Sequence, residues 1–218
     1  MEVSASILSV NEEESIHTFY RLETAHIDYF HIDVMDGKFV ENNTSEKMKQ
    51  YTDNIKNISN IPLDVHIMVE NIKEYVDVYA PCMPTKISFH IEASKDKETT
   101  MKMINYIKED GIKVGIAVNP ETDIKKVFDY LPYIHTVLIM SVHPGKGGQE
   151  FIPETIDKIN ELKKYLKEND LDTEIEVDGG VNLENVKELK ECGVDIAVVG
   201  TALINAKDYK YTVDQIRA

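Results

Sequence analysis

Cysteine is scarce in this chain, and the two present, Cys82 and Cys192, form neither a metal-binding spacing nor a disulfide framework. They are expected to be reduced, buried thiols. Basic residues are also in short supply: 24 Lys and Arg face 39 Asp and Glu, a formal charge of −15. A surface of that sign repels nucleic acid and anionic membrane, so a phosphate-bearing ligand needs a locally positive pocket. No apolar run approaches the roughly 20 residues of a membrane-spanning helix, and the opening segment MEVSASILSV has no basic leader. A soluble, cytoplasmic protein with neither a nucleic-acid nor a membrane partner is the expectation. Linkers rich in Pro, Ser or Gly are absent too, and so are low-complexity tracts, which leaves nothing to split residues 1–218 into separate domains.

What fills the chain instead is a rhythm. Eight β-rich runs, at residues 3–8, 28–35, 62–69, 85–92, 112–118, 135–142, 174–178 and 195–200, alternate with longer amphipathic segments. In one of the latter, residues 153–169, Ile156, Ile159, Leu162 and Leu166 fall on one helical face. Asn11 can cap a helix whose first turn carries Glu12, Glu13 and Glu14, and Gly111 and Gly193 stand where helices should stop. Such alternation predicts parallel strands joined by crossover helices. Eight units in one domain of this length predict an α/β fold of the TIM-barrel type, eight parallel strands alternating with eight helices, in preference to a doubly wound open sheet. In a barrel, the carboxyl ends of the strands and the loops after them converge on one face, where chemistry is usually found.

Ionisable residues recur at those ends. Alternation along HIDVMDG and its flanks puts Tyr29, His31, Asp33 and Met35 on one face and the apolar Phe30, Ile32 and Val34 on the other. The apolar set suits the layer against the helices, so the first set points into the barrel, where an unpaired carboxylate is costly without a cation or hydrogen bonds. DVHIMV repeats the arrangement with Asp64, His66 and Met68, and EIEVDGG does so with Glu176 and Asp178. One inward histidine is more often a hydrogen-bonded core residue than a ligand. Four residues of ligand type at corresponding strand ends, His31, Asp33, His66 and Asp178, form a credible set for one divalent ion: Zn²⁺, Fe²⁺, Mn²⁺ or Co²⁺. His90 and Glu92 share the parity and are expected either to support that set from behind or to be structural. His17 and His26 lie on helix or loop and receive no role.

Glycine and methionine complete the pattern. HPGKGGQ, DGG and GTA follow strands six, seven and eight, and glycine turns let backbone amides approach a phosphate. Three such loops side by side predict an anion site, to which Lys146 can add charge. Met35, Met68 and Met140 all come late in strands. Such residues are by default core filler, with a water-excluding lid over a reactive intermediate as the functional alternative.

In motif order the chain resembles the ribulose-phosphate 3-epimerase family along nearly its full length, through SILS, HIDVMDGKFV, DVHIMV, GIAVNPET, MSVHPGKGGQEF and VDGGVN. The resemblance implies a metal-dependent isomerase of the pentose phosphate pathway and carbohydrate metabolism, working as a homo-oligomer on a small phosphorylated sugar. It implies metal ligands His31, Asp33, His66 and Asp178, with Asp33 and Asp178 also the acid/base pair. It further implies that Ser6 and His66 touch substrate and that Met35, Met68 and Met140 cover it. Gly145, Lys146, Gly147, Gly148, Gly179, Gly180, Gly200 and Thr201 would frame its phosphate.

Several positions depart from the family pattern. NPGFGGQ has become HPGKGGQ, HFVPN has become KFVEN, and GSA has become GTA. A 3-epimerase of a hexulose 6-phosphate such as allulose 6-phosphate, whose enzymes share DYFHID and EIEVDG, is therefore the alternative substrate reading. A non-catalytic sugar-phosphate sensor is the alternative of another class, and the presence of both aspartates favours catalysis over it. The Asp-x-Lys-x-x-Asp run of the orotidine phosphate decarboxylase type is absent. Lys146→Ala is expected to raise KM for the phosphorylated sugar, and steady-state kinetics returning the wild-type KM would place that ammonium in bulk solvent.

Overall fold

The computed structural model describes residues 1–218. Eight parallel strands close into a barrel in chain order: β1 (Glu2–Ser6), β2 (Tyr29–Met35), β3 (Leu63–Met68), β4 (Lys86–His90), β5 (Lys113–Val118), β6 (Thr136–Met140), β7 (Glu174–Asp178) and β8 (Ile196–Val199). Each observed strand falls within or one residue beyond an expected run, and the alternation of strand and helix is that of a TIM barrel. The helices are α1 (Ser15–Thr24), α2 (Ser45–Ile58), α3 (Ile72–Tyr79), α4 (Lys97–Glu109), α5 (Thr155–Glu168), α6 (Val186–Glu191), α7 (Thr201–Ile204) and α8 (Tyr209–Arg217). Their distribution is less even than the sequence rhythm. The β5–β6 crossover is a 3₁₀ helix, Ile124–Tyr133, with Pro132 in its last turn, while two helices follow β8. No helix is long and apolar enough to cross a membrane.

Local chemistry explains the element ends. Asp96 accepts the Thr99 N–H at 2.8 Å to start α4, Asp208 accepts the Tyr211 N–H at 3.0 Å to start α8, and Asn11 caps a short 3₁₀ turn ahead of α1. Gly111 and Gly193, at φ 74° and 84°, take the left-handed conformation that ends α4 and α6. On α5 the residues Ile159, Leu162 and Leu166 are buried and Ile156 is half-buried. Each full burial is worth about 1.5–3 kcal/mol. Of the two free cysteines Cys82 is buried, but Cys192 is only half-buried, because it closes the short helix α6 at the surface.

Two cores result. A cluster of 53 residues fills the layer between strands and helices, and a separate cluster of five lies inside the barrel: Ala117, Leu138, Met140 and Val198 on strand faces of the opposite parity, and Val142 just after β6. The interior is thus divided. Strands β5, β6 and β8 supply its apolar side, whereas Ser4, Ser6, His31, Asp33, Asp64, His66, Lys86, Ser88, His90 and Glu176 make the other side polar, and all are buried. Where β4 meets β5 the fit is tight: a Cβ on Gly115 would stand 2.1 Å from Ser88 Oγ. Gly115→Ala should cost about 1–3 kcal/mol through overpacking, or roughly 2–4 °C of Tm per kcal/mol. Adding Ser88→Gly should return part of the loss in thermal unfolding, and a single variant as stable as wild type would contradict this packing.

Candidate active site

The register of β2 on β3 sets Asp33 beside His66, His31 beside Asp64 and Met35 beside Met68. Strand β7 brings Asp178 to the same end of the barrel. His31 Nε2 lies 3.4 Å from Asp33 Oδ1 and 3.7 Å from Asp178 Oδ2, and His66 Nδ1 lies 3.5 Å from each of these two oxygens. One ligand atom from each residue falls within 4.8 Å of every other. Both imidazole nitrogens are buried without a hydrogen-bond partner, a costly arrangement for polar atoms. A tetrahedral ion with bonds of about 2.0–2.1 Å has ligand–ligand edges of about 3.3–3.4 Å, close to these separations. The donor set therefore fits a divalent cation.

Electrostatics points the same way. Burial disfavours charge on His31, yet Asp64 and Asp33 hold its pKa well above the usual histidine range. Burial likewise opposes ionisation of Asp33, but His31 and His66 keep it well below the usual carboxylate range. Two carboxylates at the floor of a pocket draw positive charge to the space between them. The two aspartates are not equivalent: Asp33 accepts the Ser6 hydroxyl at 2.7 Å and its side chain is 5% exposed, whereas Asp178 is 15% exposed. The other aspartate of HIDVMDG, Asp36, has a structural role. It accepts the N–H groups of Lys38, Phe39 and Glu70 at 2.8, 2.9 and 2.8 Å and so ties the loops after β2 and β3 together.

A second charged layer lies deeper. His31 Nδ1 is 2.7 Å from Asp64 Oδ2, which also accepts the Ser4 hydroxyl at 2.9 Å. His31, Asp64 and Glu176 form a second group of ligand type, but its two carboxylates already hold a cation: Lys86 Nζ donates to Glu176 and stands 3.3 Å from Asp64 Oδ1. One ammonium shared by two carboxylates leaves charge to spare, and burial with the neighbouring Asp64 charge pushes Glu176 up to about 8.

Above the four donors opens a pocket of about 300 Å³. Ser6, Asp33, Met35, Met68, Met140, Gly145, Lys146, Gly147, Gly148, Asp178, Gly179, Gly180, Gly200 and Thr201 all line it, while His31 and His66 are fully buried beneath. Only glycine suits position 180, where φ is 65° and a Cβ would meet the Phe151 nitrogen at 2.4 Å. Gln149 shapes the loop after β6 by donating to the carbonyls of His143 and Lys146 at 2.7 and 2.8 Å. Leu8, Ser9, Gln149 and Asn182 also line the pocket and were not singled out by sequence reasoning. For Gln149 and Asn182 a signal existed, their place directly beside the glycine turns.

Residues 2–204 match the sequence model of the ribulose-phosphate 3 epimerase family. The chain belongs to that family. Curated relatives called ribulose-phosphate 3-epimerase include one from Helicobacter pylori strain J99, 36% identical over 218 residues that span 100% of this chain and 97% of the relative. Another, from Escherichia coli K12, is 35% identical and covers 99% of this chain and 94% of its own. A third, from Methanocaldococcus jannaschii, is 36% identical over 100% of this chain and 90% of its own. Among solved structures, 3-hexulose-6-phosphate synthase superposes with a TM-score of 0.71 at 13% identity, covering 100% of this chain and 98% of that one. KGPDC from Streptococcus mutans gives 0.73 at 9% identity, over 99% and 95%. At such low identity these two establish the barrel alone.

Family membership makes the chain an isomerase, and it leaves the buried ionic layer as a feature of stability to be measured. The native pKa of Glu176 exceeds the unfolded value of 4.5, so the folded state holds the extra proton between that value and about 8. The stability it confers is complete below the unfolded pKa and is lost as pH rises through the folded one. Glu176→Gln should flatten the fall in Tm between about pH 5 and about pH 9. Parallel melting curves for the two proteins across that range would refute the assignment.

Proposed function

We propose that this protein is a cation-dependent 3-epimerase of a ketose phosphate, interconverting D-ribulose 5-phosphate and D-xylulose 5-phosphate. The observation that carries the reading is the pair of orphaned imidazole nitrogens aimed at two aspartates under a glycine-framed pocket. The relatives' shared name, ribulose-phosphate 3-epimerase, supports the substrate. The family likeness also supports a cytoplasmic homo-oligomer. His31, Asp33, His66 and Asp178 would hold the ion, Zn²⁺, Fe²⁺, Mn²⁺ or Co²⁺, which when bound supplies Lewis-acid stabilisation of negative charge on the sugar oxygens.

The proton work belongs to the two aspartates. One carboxylate removes the hydrogen from C3, and the freed electron pair moves into the C2 carbonyl to give an enediolate. The other, protonated, returns a hydrogen to the opposite face of C3 as the ketone re-forms, so that configuration inverts and atoms balance. Asp33 and Asp178 stand on β2 and β7 with unequal exposure, a setting in which one can be ionised while the other keeps its proton. Ser6 steadies Asp33 through its hydroxyl. Met35, Met68 and Met140, each no more than 2% exposed, wall the site without offering an acid that could protonate the intermediate wrongly. The glycines of the loops after β6, β7 and β8 line the pocket with Lys146, and their backbone amides would hold the phosphate.

The departures at His143 and Lys146 favour testing a hexulose 6-phosphate beside the pentulose. His143 pairs with Glu121 at 3.0 Å on the exposed rim, which ties the loop after β6 to the loop after β5. Asp33→Asn and Asp178→Asn should each cut solvent deuterium incorporation at C3 by about 10²-fold or more, in assays run with ribulose 5-phosphate and allulose 6-phosphate in parallel. Near-normal exchange in either variant would exclude the two-carboxylate scheme. Tight sugar-phosphate binding with no exchange in the wild-type protein would identify a sensor instead.

A further inference from the structure

The two imidazoles that face the cation cradle are both held from behind, and the two holds differ in kind. His31 Nδ1 meets a carboxylate directly, Asp64 at 2.7 Å. Behind His66 the register of β3 on β4 places Ser88 rather than an acid. Instead His66 Nε2 lies 2.8 Å from His90 Nε2, and His90 Nδ1 lies 3.2 Å from Glu92 Oε2 in the turn after β4. The other oxygen of Glu92 accepts the Asn119 N–H at 2.9 Å.

Two ring nitrogens 2.8 Å apart share a hydrogen bond only when one carries a proton and the other does not. The donor and acceptor inventory decides which. An ionised carboxylate only accepts, so the proton of neutral His90 stands on Nδ1, facing Glu92. His90 Nε2 then offers a lone pair, His66 must donate from Nε2, and the Nδ1 of a neutral His66 is left with its lone pair toward Asp33 and Asp178. That Nδ1 is one of the two orphaned nitrogens of the cradle. His90 has no room to swing away: it is 0% exposed, with its ring centroid 4.9 Å from that of Phe39 and 5.0 Å from that of His66.

We propose that Glu92 and His90 are positioning residues, a relay of two side chains that sets the tautomer of His66 and so prepares Nδ1 to bind the cation. The inference rests on the cradle reading given above. A direct carboxylate behind His31 and a relayed one behind His66 leave each imidazole one nitrogen free to face the ion, although β4 sets Ser88 rather than an acid beside His66.

Glu92→Gln tests it with little change of shape. An amide can keep accepting from Asn119 while it presents N–H to His90, which reverses the relay and moves the His66 proton onto Nδ1. Transfer of Co²⁺ and Zn²⁺ from the loaded full-length protein to a competing chelator should show affinity about 10–100-fold weaker in the variant. Imidazole ¹⁵N spectra of the zinc-loaded wild-type protein should show protons on His90 Nδ1 and His66 Nε2. These spectra decide the matter even if Glu92→Gln does not fold. Unchanged affinity in the variant, or a His90 proton on Nε2, overturns the relay while leaving the cradle in place. A wild-type protein that holds neither Co²⁺ nor Zn²⁺ overturns the cradle itself, and the relay falls with it.

Discussion

Two aspartates and two histidines converge in a space that water scarcely reaches, and the rest of the barrel interior is arranged around that fact. In a medium of low effective dielectric, like charges a few ångströms apart repel strongly, and the nearly buried Asp33 has little water to relieve its charge. Positive charge between them is the remedy that the geometry supports, with four donor atoms close enough to share one ion. The neutral polar groups then fall into place as orienters: Ser6 on Asp33, Ser4 on Asp64, and His90 behind His66.

The same principle appears one layer down with an internal solution. Asp64 and Glu176 are as deeply buried as the upper set, but Lys86 stands between them as a resident cation. A cation supplied by the chain is permanent and serves the fold, whereas a cradle that took its charge from outside would gain an electrophile at the floor of a pocket. Asp64 belongs to both layers, since one of its oxygens faces His31 and the other faces Lys86. Stability of the barrel and readiness of the site are thereby joined through a single carboxylate.

The division of the interior into a polar and an apolar side gives the pocket its chemical contrast. Strands β2 to β4 with β7 supply the ionisable groups, β1 adds Ser4 and Ser6, and β5, β6 and β8 supply Ala117, Leu138, Met140 and Val198. A phosphorylated sugar bound there would meet charge on one flank and thioethers or alkyl groups on the other. Glycine loops after β6, β7 and β8 frame one end of the pocket, and backbone amides there would let a chain with a formal charge of −15 hold an anion without a basic surface.

Much of this was legible in the residues themselves. Period-two alternation in YFHIDVM and LDVHIM separates inner from outer faces, because consecutive side chains on a strand must point oppositely, and it correctly put His31, Asp33 and His66 on one side. The glycines of HPGKGGQ and DGG announced close backbone approach in the same way. What the sequence could not decide was partnership. Whether Glu176 serves the upper or the lower layer, that Asp36 braces loops instead of facing the pocket, that the β5–β6 crossover winds as a 3₁₀ helix, and that Glu92 reaches His66 only through His90 all depend on barrel closure and strand register. Local pattern determines which way a side chain points. Distances between residues dozens of positions apart are set only when the strands close on one another, and charge, tautomer and ion binding follow from those distances.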